Sequence, residues 1–231
     1  MIFSKRIMSA EFIERPNRFQ AYVYINGKKE MVHVPNTGRC KEILLPGTKV
    51  LLREENNPNR KTRFDLIAGY KDKKLINIDS QIPNKVVEEA LRARKIDQLK
   101  KYTNIEREKT FGNSRFDFKL TDKNDNKYYL EVKGVTFEND GITMFPDAPT
   151  ERGKKHLLEL VQVIKEGYGA GVLFLIQMDN VNKFMPYDNM DKAFSDALRL
   201  AAQNNVDIFA YDCSVGRNFI TMKNKVQVEL S

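Results

Sequence analysis

The clearest pattern in the chain is an alternation of apolar and charged residues with a period of two, which occurs twice in close succession. The first stretch covers residues 115–120 and the second covers residues 128–136. The segment between them, 121–126, consists of Thr, Asp, Lys and Asn residues, a composition typical of turns. A period of two is that of a β-strand, so the pattern predicts a β-hairpin.

The predicted hairpin carries acids on a face of their own. In the first strand, Phe116 and Phe118 share one face and Asp117 points to the other. In the second strand, Glu131 and Lys133 point together to one side. Because the strands of a hairpin lie side by side, we expect Asp117 and Glu131 to come together.

Residues 1–80 have a pattern typical of an all-β domain. Two strands, 19–25 and 28–34, flank Asn26-Gly27, the strongest two-residue hairpin signal, because both turn positions need a positive φ. Short strands with little helix in a domain of this size predict a small OB-fold-like barrel. Further strands are predicted at 2–9, 49–53, 64–70 and 75–78.

The pattern changes at 79–84, where we place the domain boundary, so that the second domain covers residues 81–231. Stretches with helical spacing there alternate with strands, which predicts an α/β domain with a mixed sheet flanked by helices. The run 171–176 is apolar throughout, as is typical of a strand buried on both faces. We expect helices that begin at Asn84, at 149–150 and at Asp188 or Asn189, and other strands at 105–109, 142–145 and 206–211.

Charge is distributed unevenly along the chain. The 231 residues carry a formal net charge of +8, and residues 1–80 hold 16 Lys and Arg against 9 Asp and Glu, a net +7. A basic module attached to a nearly neutral one is typical of a protein that binds a polyanion such as DNA. A solvated surface that only keeps the protein soluble is the alternative explanation.

Other features of the composition exclude some classes. No apolar run approaches the roughly 18–20 residues of a membrane helix, and the first residues lack the apolar core of a signal peptide. We therefore expect a cytoplasmic protein that does not bind membranes. Cys40 and Cys213 lie far apart without CxxC spacing, so buried thiols are expected rather than a zinc site or a disulfide framework.

Basic residues in loops and at one helix start are the candidate nucleic-acid contacts. Free backbone N–H groups at a helix start favour a phosphate, whereas cations there oppose the helix dipole and need another reason to be present. The candidates in the second domain follow the helix start at 149–150 and are Arg152, Lys154, Lys155 and His156. The candidates in the first domain are Arg15, Arg18, Arg39, Lys41, Arg60 and Lys61.

One basic loop, 33–39, has two interpretations. It is either a turn that Asn36 and Thr37 shape by bonding their own backbone, or a phosphate-contact loop that ends in Arg39. The sequence does not separate the two.

The charged face of the hairpin has the residues of a divalent-metal site. Mg²⁺ or Mn²⁺ prefers oxygen ligands and keeps several waters, so Asp117, Glu131, a backbone carbonyl and a substrate phosphate can complete the coordination. Lys133 can orient a water or stabilise the negative charge of phosphodiester attack. Glu88 on the preceding helix is a further candidate ligand, and His156 is an alternative general base. The simpler explanation is a cross-strand Glu–Lys ion pair on a solvated sheet face.

Five motifs occur in order along most of the chain, at residues 15–19, 33–39, 115–118, 131–136 and 145–157. Together they resemble the motifs of the sugar fermentation stimulation protein A family. The resemblance implies DNA binding, an N-terminal OB-like domain and a C-terminal domain related to the PD-(D/E)xK nucleases. By position, the nuclease pattern falls on Asp117 and Glu131 as metal ligands and on Lys133 as the catalytic lysine.

The chain departs from the nuclease pattern at one position. The first acid, Asp117, follows Phe116 rather than a proline, and the Pro146–Asp147 pair comes after the Glu131 motif, in the wrong order. A proline is not a metal ligand, so its loss is compatible with a working site. A related scaffold can also keep its acids for binding alone.

Two functions therefore stay open at this point. The first is a DNA-binding protein without sequence preference that has a Mg²⁺-dependent phosphodiesterase site. The second is a non-catalytic DNA-binding regulator of sugar (maltose-type) metabolism genes with a vestigial nuclease fold. A third hypothesis, an OB-like module that recruits a protein partner, requires that the basic loops be dispensable for DNA binding.

Overall fold

The computed structural model describes all 231 residues. Its N-terminal part is a closed β-barrel. Hydrogen bonds connect its strands in the order β3-β2-β1-β4-β5-β6, and a further parallel pairing of β3 with β5 closes the barrel. β1 to β5 thus form the closed, five-stranded OB-type barrel that the sequence predicts, and β6 pairs with β5 alone. The strands are β1 (Ile7–Asn17), β2 (Gln20–Ile25), β3 (Lys28–His33), β4 (Lys49–Glu54), β5 (Phe64–Lys71) and β6 (Lys74–Asn77).

The turn between β2 and β3 follows from its two residues. Asn26 has a φ of 49° and Gly27 a φ of 78°, so both occupy the left-handed region that a tight two-residue hairpin requires. The predicted strands on either side are confirmed to within one residue at each end.

The predicted strand at 2–9 is wrong over its first half. β1 begins at Ile7 and continues well beyond the predicted end, because it pairs with β4 through its first half and with β2 through its second half. Ile2 forms a β-bridge with Phe219 instead. A local pattern does not encode a partner at the other end of the chain.

The C-terminal part is built on a six-stranded mixed sheet. Its strand order is β15-β14-β12-β9-β8-β7, with β12 parallel to both β9 and β14. A second, smaller sheet contains β10, β11, β13 and β16. The elements after residue 80 are α1 (Ile82–Arg92), a short 3₁₀ helix (Asp97–Leu99), β7 (Tyr102–Phe111), β8 (Ser114–Asp122), β9 (Lys127–Val135), β10 (Phe137–Asn139), β11 (Ile142–Phe145), α2 (Glu151–Lys165), β12 (Gly169–Ile176), β13 (Lys183–Pro186), α3 (Lys192–Gln203), β14 (Asp207–Gly216), β15 (Phe219–Lys225) and β16 (Gln227–Val228).

Different helices cover the two faces of the main sheet. On β12, Leu173 and Leu175 belong to the same buried cluster as the residues of α1, whereas Val172 and Phe174 belong to the cluster of α2 and α3. Alternate residues of a strand point to opposite faces, so α1 lies on one face and α2 with α3 on the other. The run 171–176 is buried throughout, as predicted. None of the helices combines the length and the apolar character that a membrane crossing would need.

One of the three predicted helix starts is confirmed and two are wrong. At α2, the Thr150 hydroxyl accepts a backbone N–H at 3.0 Å, as an N-cap does. α1 begins two residues before Asn84, which leaves that side chain free for a distant partner. α3 is capped by Asp191 rather than by Asp188 or Asn189, because Asp188 forms an ion pair at 2.6 Å with an arginine of the same helix.

The two parts of the chain share their packing. Each of the two buried hydrophobic clusters contains residues from both sides of residue 80. At the junction, Gln177 is 2% exposed, and its amide donates to the side chain of Asn77 at 2.7 Å and to the carbonyl of Asp79 at 3.2 Å. Because buried polar groups need such partners, these bonds tie the barrel to the carboxyl end of β12.

A buried ion network supports β5 on the barrel. The Asp65 carboxylate, 4% exposed, accepts from Arg53 at 2.9 Å, lies 2.9 Å from His33 Nδ1 and also pairs with Arg60. Burial alone raises the pKa of a carboxyl group, but the hydrogen bonds from Arg60, His33 and Arg53 outweigh it and lower the pKa of Asp65 to about 2.

Asp65→Asn is expected to remove stability in a pH-dependent way. A carboxyl group with a lowered folded-state pKa contributes stability above its unfolded value of 3.8, and this contribution is lost as the pH falls towards 2. Wild type should therefore exceed the variant by about 2 kcal/mol in free energy of unfolding near neutral pH. Urea unfolding followed by circular dichroism should show the gap closing below about pH 4.

The matched control is Asp125→Asn, a surface carboxylate whose side chain is 80% exposed. It should stay within about 0.5 kcal/mol of wild type at every pH. A gap between wild type and Asp65→Asn that persists in full at the lowest pH would contradict the assignment.

Candidate functional site

Strands β8 and β9 separate where the two acids of the hairpin lie. Their ladder ends at the pair Phe118 and Leu130. Beyond this pair, the Asp117 carboxylate enters the gap, and its Oδ2 accepts the backbone N–H of Val132 at 2.8 Å. The side chain thus takes the place of a backbone acceptor from the neighbouring strand. The result is a carboxylate held between two strands rather than on a flat sheet face.

The separation of the strands also changes where Phe116 packs. Phe118 lies in the buried cluster of α1, whereas Phe116 lies in the opposite cluster. The Phe116 ring centroid is 5.9 Å from that of Tyr129 and 6.0 Å from that of His156. The prediction that Phe116 and Phe118 share one face is therefore wrong, because β8 no longer follows β9 beyond Phe118.

The carboxylate of Glu131 is buried, with 4% of the residue exposed. Its Oε1 accepts a hydrogen bond from the Lys133 ammonium group at 2.6 Å and lies 2.5 Å from His156 Nδ1 on α2. Its Oε2 is also buried and has no hydrogen-bond partner. A buried polar oxygen without a donor costs free energy unless a ligand or water satisfies it. The orphaned Oε2 is therefore the oxygen of this site whose hydrogen-bonding capacity the protein leaves unused.

Burial and charge shift the pKa values of the two acids in opposite directions. Burial, followed by the charge of Glu131, raises the pKa of Asp117 to about 6, against the hydrogen bonds that its carboxylate accepts. Burial also acts to raise the pKa of Glu131, but the hydrogen bond from His156 and the charge of Lys133 outweigh it and lower that pKa. The pKa values of two neighbouring carboxyl groups move apart in this way when nearby cations stabilise the charged form of only one of them.

The donor set fits a hard divalent cation. It offers carboxylate oxygens from Asp117 and Glu131, which suit Mg²⁺, Mn²⁺ or Ca²⁺, and no thiolate. The chain has no group of three or more His, Cys, Asp or Glu side chains placed to hold a metal ion. Two protein carboxylates suit a cation that keeps several waters and takes further oxygens from a substrate phosphate.

Glu88, predicted as a further ligand, is engaged elsewhere. Its two carboxylate oxygens pair with Arg92 at 2.7 Å and with Arg107 at 3.3 Å. Asn84, one turn earlier on α1, faces the site instead, and its Nδ2 donates to Asp117 Oδ1 at 2.6 Å. α1 thus supplies an amide that orients Asp117 rather than a third carboxylate.

The basic cluster at the start of α2 has a buried and an exposed part. His156 is 5% exposed and faces Glu131, so it does not lie on the surface as the expected phosphate contact would. Arg152 and Lys155 are exposed, and Lys154 is half-buried. The cluster therefore offers three cations near the surface and one imidazole that belongs to the acid site.

Arg15 shapes the loop that follows β3 instead of projecting into solvent. Asn36 takes part in the same arrangement, since its Oδ1 accepts the N–H of Gly38 at 2.6 Å. These bonds support the turn interpretation of the loop. The Arg15 guanidinium donates to the carbonyls of Arg18 at 2.7 Å, Asn36 at 2.6 Å, Gly38 at 2.7 Å and Arg39 at 3.0 Å.

The other predicted cations of the barrel fall into two groups. Arg60 pairs with Asp65 and with Glu55 at 3.5 Å, so its charge is compensated within the protein. The second group is exposed, forms no ion pair and is available to an external anion. It consists of Arg18, Arg39, Lys41 and Lys61.

A cleft of about 980 Å³ lies where the barrel meets the C-terminal part. The loop after β3 and residues 145–150 before α2 both line it, as does Gly134 of β9. Within it, the Asp147 carboxylate lies against Gly38, and burial raises the pKa of this carboxyl group. The Pro146–Asp147 pair, which stands out of nuclease order in the sequence, thus belongs to this cleft.

The sequence does not predict that His156 and Asn84 contact the two carboxylates of the acid site. The burial of His156 has a local signal, because it lies between Gly153 and Leu160 on the face of α2 that turns inward. Asn84 has no such signal, because its partner Asp117 is 33 residues away.

The Asp117 carboxyl group is expected to titrate near pH 6 in the metal-free protein. Glu131→Gln should lower the pKa of Asp117, because the variant removes a neighbouring negative charge and leaves the positive charge of Lys133 in place. Side-chain carboxyl ¹³C chemical shifts followed through a pH titration measure both values. Glu106→Gln, on β7, is the control and should leave this pKa unchanged. A pKa of Asp117 that Glu131→Gln does not move would contradict the close contact.

Two family models match most of the chain. Residues 13–78 match the SfsA N-terminal OB domain, and residues 81–219 match the sugar fermentation stimulation protein RE domain. Sugar fermentation stimulation protein homologs of Clostridium botulinum (strain Hall) and Clostridium kluyveri (strain DSM 555) are 69% and 67% identical over 230 residues, with 100% of both chains covered.

A solved structure agrees with these matches. The structure of Pyrococcus furiosus SfsA in complex with Ca²⁺ is 27% identical in sequence and superposes with a TM-score of 0.90 over 99% of each chain. The OB-type barrel and the helix-flanked mixed sheet predicted from the sequence are confirmed, and so is the resemblance carried by the five motifs. The chain therefore belongs to the sugar fermentation stimulation protein (SfsA) family.

Proposed function

We propose that this protein is a DNA-binding, metal-dependent phosphodiesterase of the nuclease type. Asp117 and Glu131 are the ligands of a divalent cation, Mg²⁺ or Mn²⁺, and Lys133 is the catalytic lysine. The observation that carries the proposal is the buried Oε2 of Glu131, which has no partner within the protein. A P. furiosus relative solved with Ca²⁺ supports a divalent cation in this family.

The surrounding residues prepare the two ligands for this role. Asn84 and the backbone N–H of Val132 each donate to one oxygen of Asp117, which fixes the orientation of its carboxylate. His156 holds Glu131 from the side of α2. Such fixed ligands lose little orientational freedom when a cation binds. Asn84 and His156 therefore act through the two ligands and are positioning residues.

Lys133 is the residue of this chain that would act on the phosphate beside a bound cation. A bound cation polarises a phosphoryl oxygen and lowers the pKa of a coordinated water. Lys133, 2.6 Å from Glu131 Oε1, is 15% exposed and places an ammonium group beside the carboxylates. It can stabilise the negative charge that develops on the phosphate, or orient the attacking water.

In this proposal, the two parts of the chain have separate tasks. Residues 1–80 are the basic nucleic-acid-binding domain, and residues 81–231 are the nuclease-type domain. The net charge of +7 on the first part supports binding without sequence preference, since phosphate contacts carry no sequence information. The exposed cations of the barrel and of α2 are the residues that contact the DNA backbone.

A non-catalytic DNA-binding regulator is the second candidate, and one observation favours it. Lys133 and His156 compensate the charge of Glu131 without any metal, and both oxygens of Asp117 accept hydrogen bonds from the protein. A vestigial site can keep such a network for stability alone. This candidate predicts salt-dependent DNA binding that survives the loss of Asp117 and does not respond to metal.

Cleavage assays separate the two candidates. Wild-type protein with Mg²⁺ or Mn²⁺ should cleave DNA, tested as plasmid and as short single- and double-stranded oligonucleotides, and a chelator should stop the reaction. Asp117→Asn and Lys133→Ala should each lower the rate by about 100-fold or more, because each removes a group that acts on the reacting phosphate. Lys119→Ala, which removes a lysine of β8 paired with Glu106 at 3.2 Å, is the matched control and should cleave like wild type.

Equal rates for wild type, Asp117→Asn and Lys133→Ala would rule out catalysis at this site. Isothermal titration calorimetry with Mn²⁺ gives an independent reading of the metal ligands. Wild type should bind the ion, and Glu131→Gln should not. DNA binding without cleavage or metal binding would leave the regulator as the function.

A further inference from the structure

The cleft between the barrel and the C-terminal part is separate from the acid site. None of the three residues assigned to catalysis lines it, although Gly134, the residue directly after Lys133, does. Of its 23 lining residues, 5 are hydrophobic and four are Arg or Lys. A cleft of about 980 Å³ that combines apolar surface with several cations suits a ligand that carries both negative charges and apolar groups.

The uncompensated charge of the cleft is positive. Arg18, Arg39 and Lys41 line it, are exposed and form no ion pair. The acids among the lining residues are already engaged. Glu14 pairs with Lys29 at 3.0 Å, and the Asp147 carboxylate accepts backbone N–H groups of the loop after β3. An anion with several negative charges therefore fits the cleft.

The walls of the cleft are held in place before any ligand arrives. Arg15 donates to four backbone carbonyls of the loops that carry the three free cations. On the opposite wall, Asp147 lies so close to Gly38 that a Cβ at position 38 would collide with its carboxylate. A site built in this way loses little conformational entropy on binding.

Two exposed apolar side chains neighbour lining residues in the sequence, although neither lines the cleft itself. Phe19 follows Arg18 directly and is 55% exposed, and Leu45 lies between two residues that line the cleft and is 50% exposed. Proteins that bind single-stranded nucleic acids combine a basic groove for the backbone with exposed aromatic rings on which bases stack. A fully paired duplex hides its bases from such side chains.

The cleft lies within reach of the acid site along two elements. Gly134 is three residues after Glu131 on β9, a separation of about 10 Å at the rise of a strand. Thr150, which lines the cleft, is six residues before His156 on α2, a separation of about 9 Å at the rise of a helix. At about 3.4 Å per stacked nucleotide, this span corresponds to roughly three nucleotides.

We propose that this cleft binds single-stranded DNA and leads it to the acid site, so that the substrate class is single-stranded DNA rather than intact duplex. The part of this inference that leads the DNA to the acid site rests on the proposed function. Binding of the DNA in the cleft does not require cleavage. Arg18, Arg39 and Lys41 contact successive phosphates, and Phe19 stacks on a base. A single strand offers its unpaired bases as well as its phosphates to these side chains, whereas a duplex keeps its bases paired.

Fluorescence anisotropy in the presence of a chelator tests the binding. A labelled single-stranded oligonucleotide should bind wild type at least ten times more tightly than the duplex of the same sequence. A triple variant should weaken single-strand binding by at least tenfold when it combines Arg18→Ala, Arg39→Ala and Lys41→Ala in one chain. The slope of log K against log salt should also fall by about 2, the effect of three lost phosphate contacts on a single strand.

A charge-matched triple variant controls for the loss of net charge. Lys95→Ala/Lys123→Ala/Lys223→Ala removes three exposed lysines that form no ion pair and do not line the cleft. It should bind the single strand within threefold of wild type. Equal losses in the two triple variants, or equal affinity for single strand and duplex, would overturn the proposal.

A label inside the cleft locates the strand directly. Thr37 is exposed and lines the cleft, so a fluorophore attached to Thr37→Cys should respond when the oligonucleotide binds. Cys40 and Cys213 are 1% and 0% exposed and should not react with the reagent. The same label on Lys95→Cys is the control. A response from Lys95→Cys alone would place the strand elsewhere and overturn the proposal.

The failure of this proposal differs from that of the proposed function. Single-strand binding in the cleft without cleavage would refute the phosphodiesterase and leave the cleft assignment intact. The opposite outcome is metal-dependent cleavage of intact duplex at the wild-type rate by the triple variant Arg18→Ala/Arg39→Ala/Lys41→Ala. That result would leave the phosphodiesterase intact and refute the cleft assignment.

Discussion

Much of the C-terminal structure depends on the burial of one carboxylate, that of Glu131. A buried charge is costly unless cations and hydrogen bonds compensate it, and here Lys133 from the same strand and His156 from α2 converge on one oxygen. This requirement docks α2 against β9 at a defined register. The second oxygen has no donor, so the protein compensates the charge but leaves one coordination direction unused.

The opening of the hairpin is the second part of the same arrangement. An unbroken ladder between β8 and β9 would satisfy the N–H of Val132 with backbone and leave Asp117 on the surface of the sheet. Instead the ladder stops at Phe118, and Asp117 itself accepts that N–H. The two carboxylates are thereby brought close enough for Glu131 to raise the pKa of Asp117. Ordinary sheet geometry is thus given up where the two carboxylates lie.

The barrel and the sheet share their buried packing. Both hydrophobic clusters cross residue 80, and Gln177 bonds to the segment that connects β6 to α1. The connection leads directly into α1, whose Asn84 donates to Asp117. The cleft is formed by the same junction, and Gly134 links it to the strand that carries Glu131.

The sequence by itself determined the features that depend on near neighbours. The period-two alternation predicted the hairpin with Asp117 and Glu131, Asn26-Gly27 predicted the turn of the barrel, and the apolar run 171–176 predicted a strand buried on both faces. These features are local, because a strand's periodicity and a turn's φ angles follow from a few consecutive residues.

Only the tertiary structure decided the contacts between distant segments. It assigned Asn84 to Asp117 rather than to a helix cap, His156 to Glu131 rather than to a surface phosphate, and Glu88 to ion pairs with two arginines. It also moved Phe116 to the opposite face from Phe118. Each of these outcomes depends on which elements pack together across the sheet, and that choice is made by the burial of the whole core rather than by any single stretch of sequence.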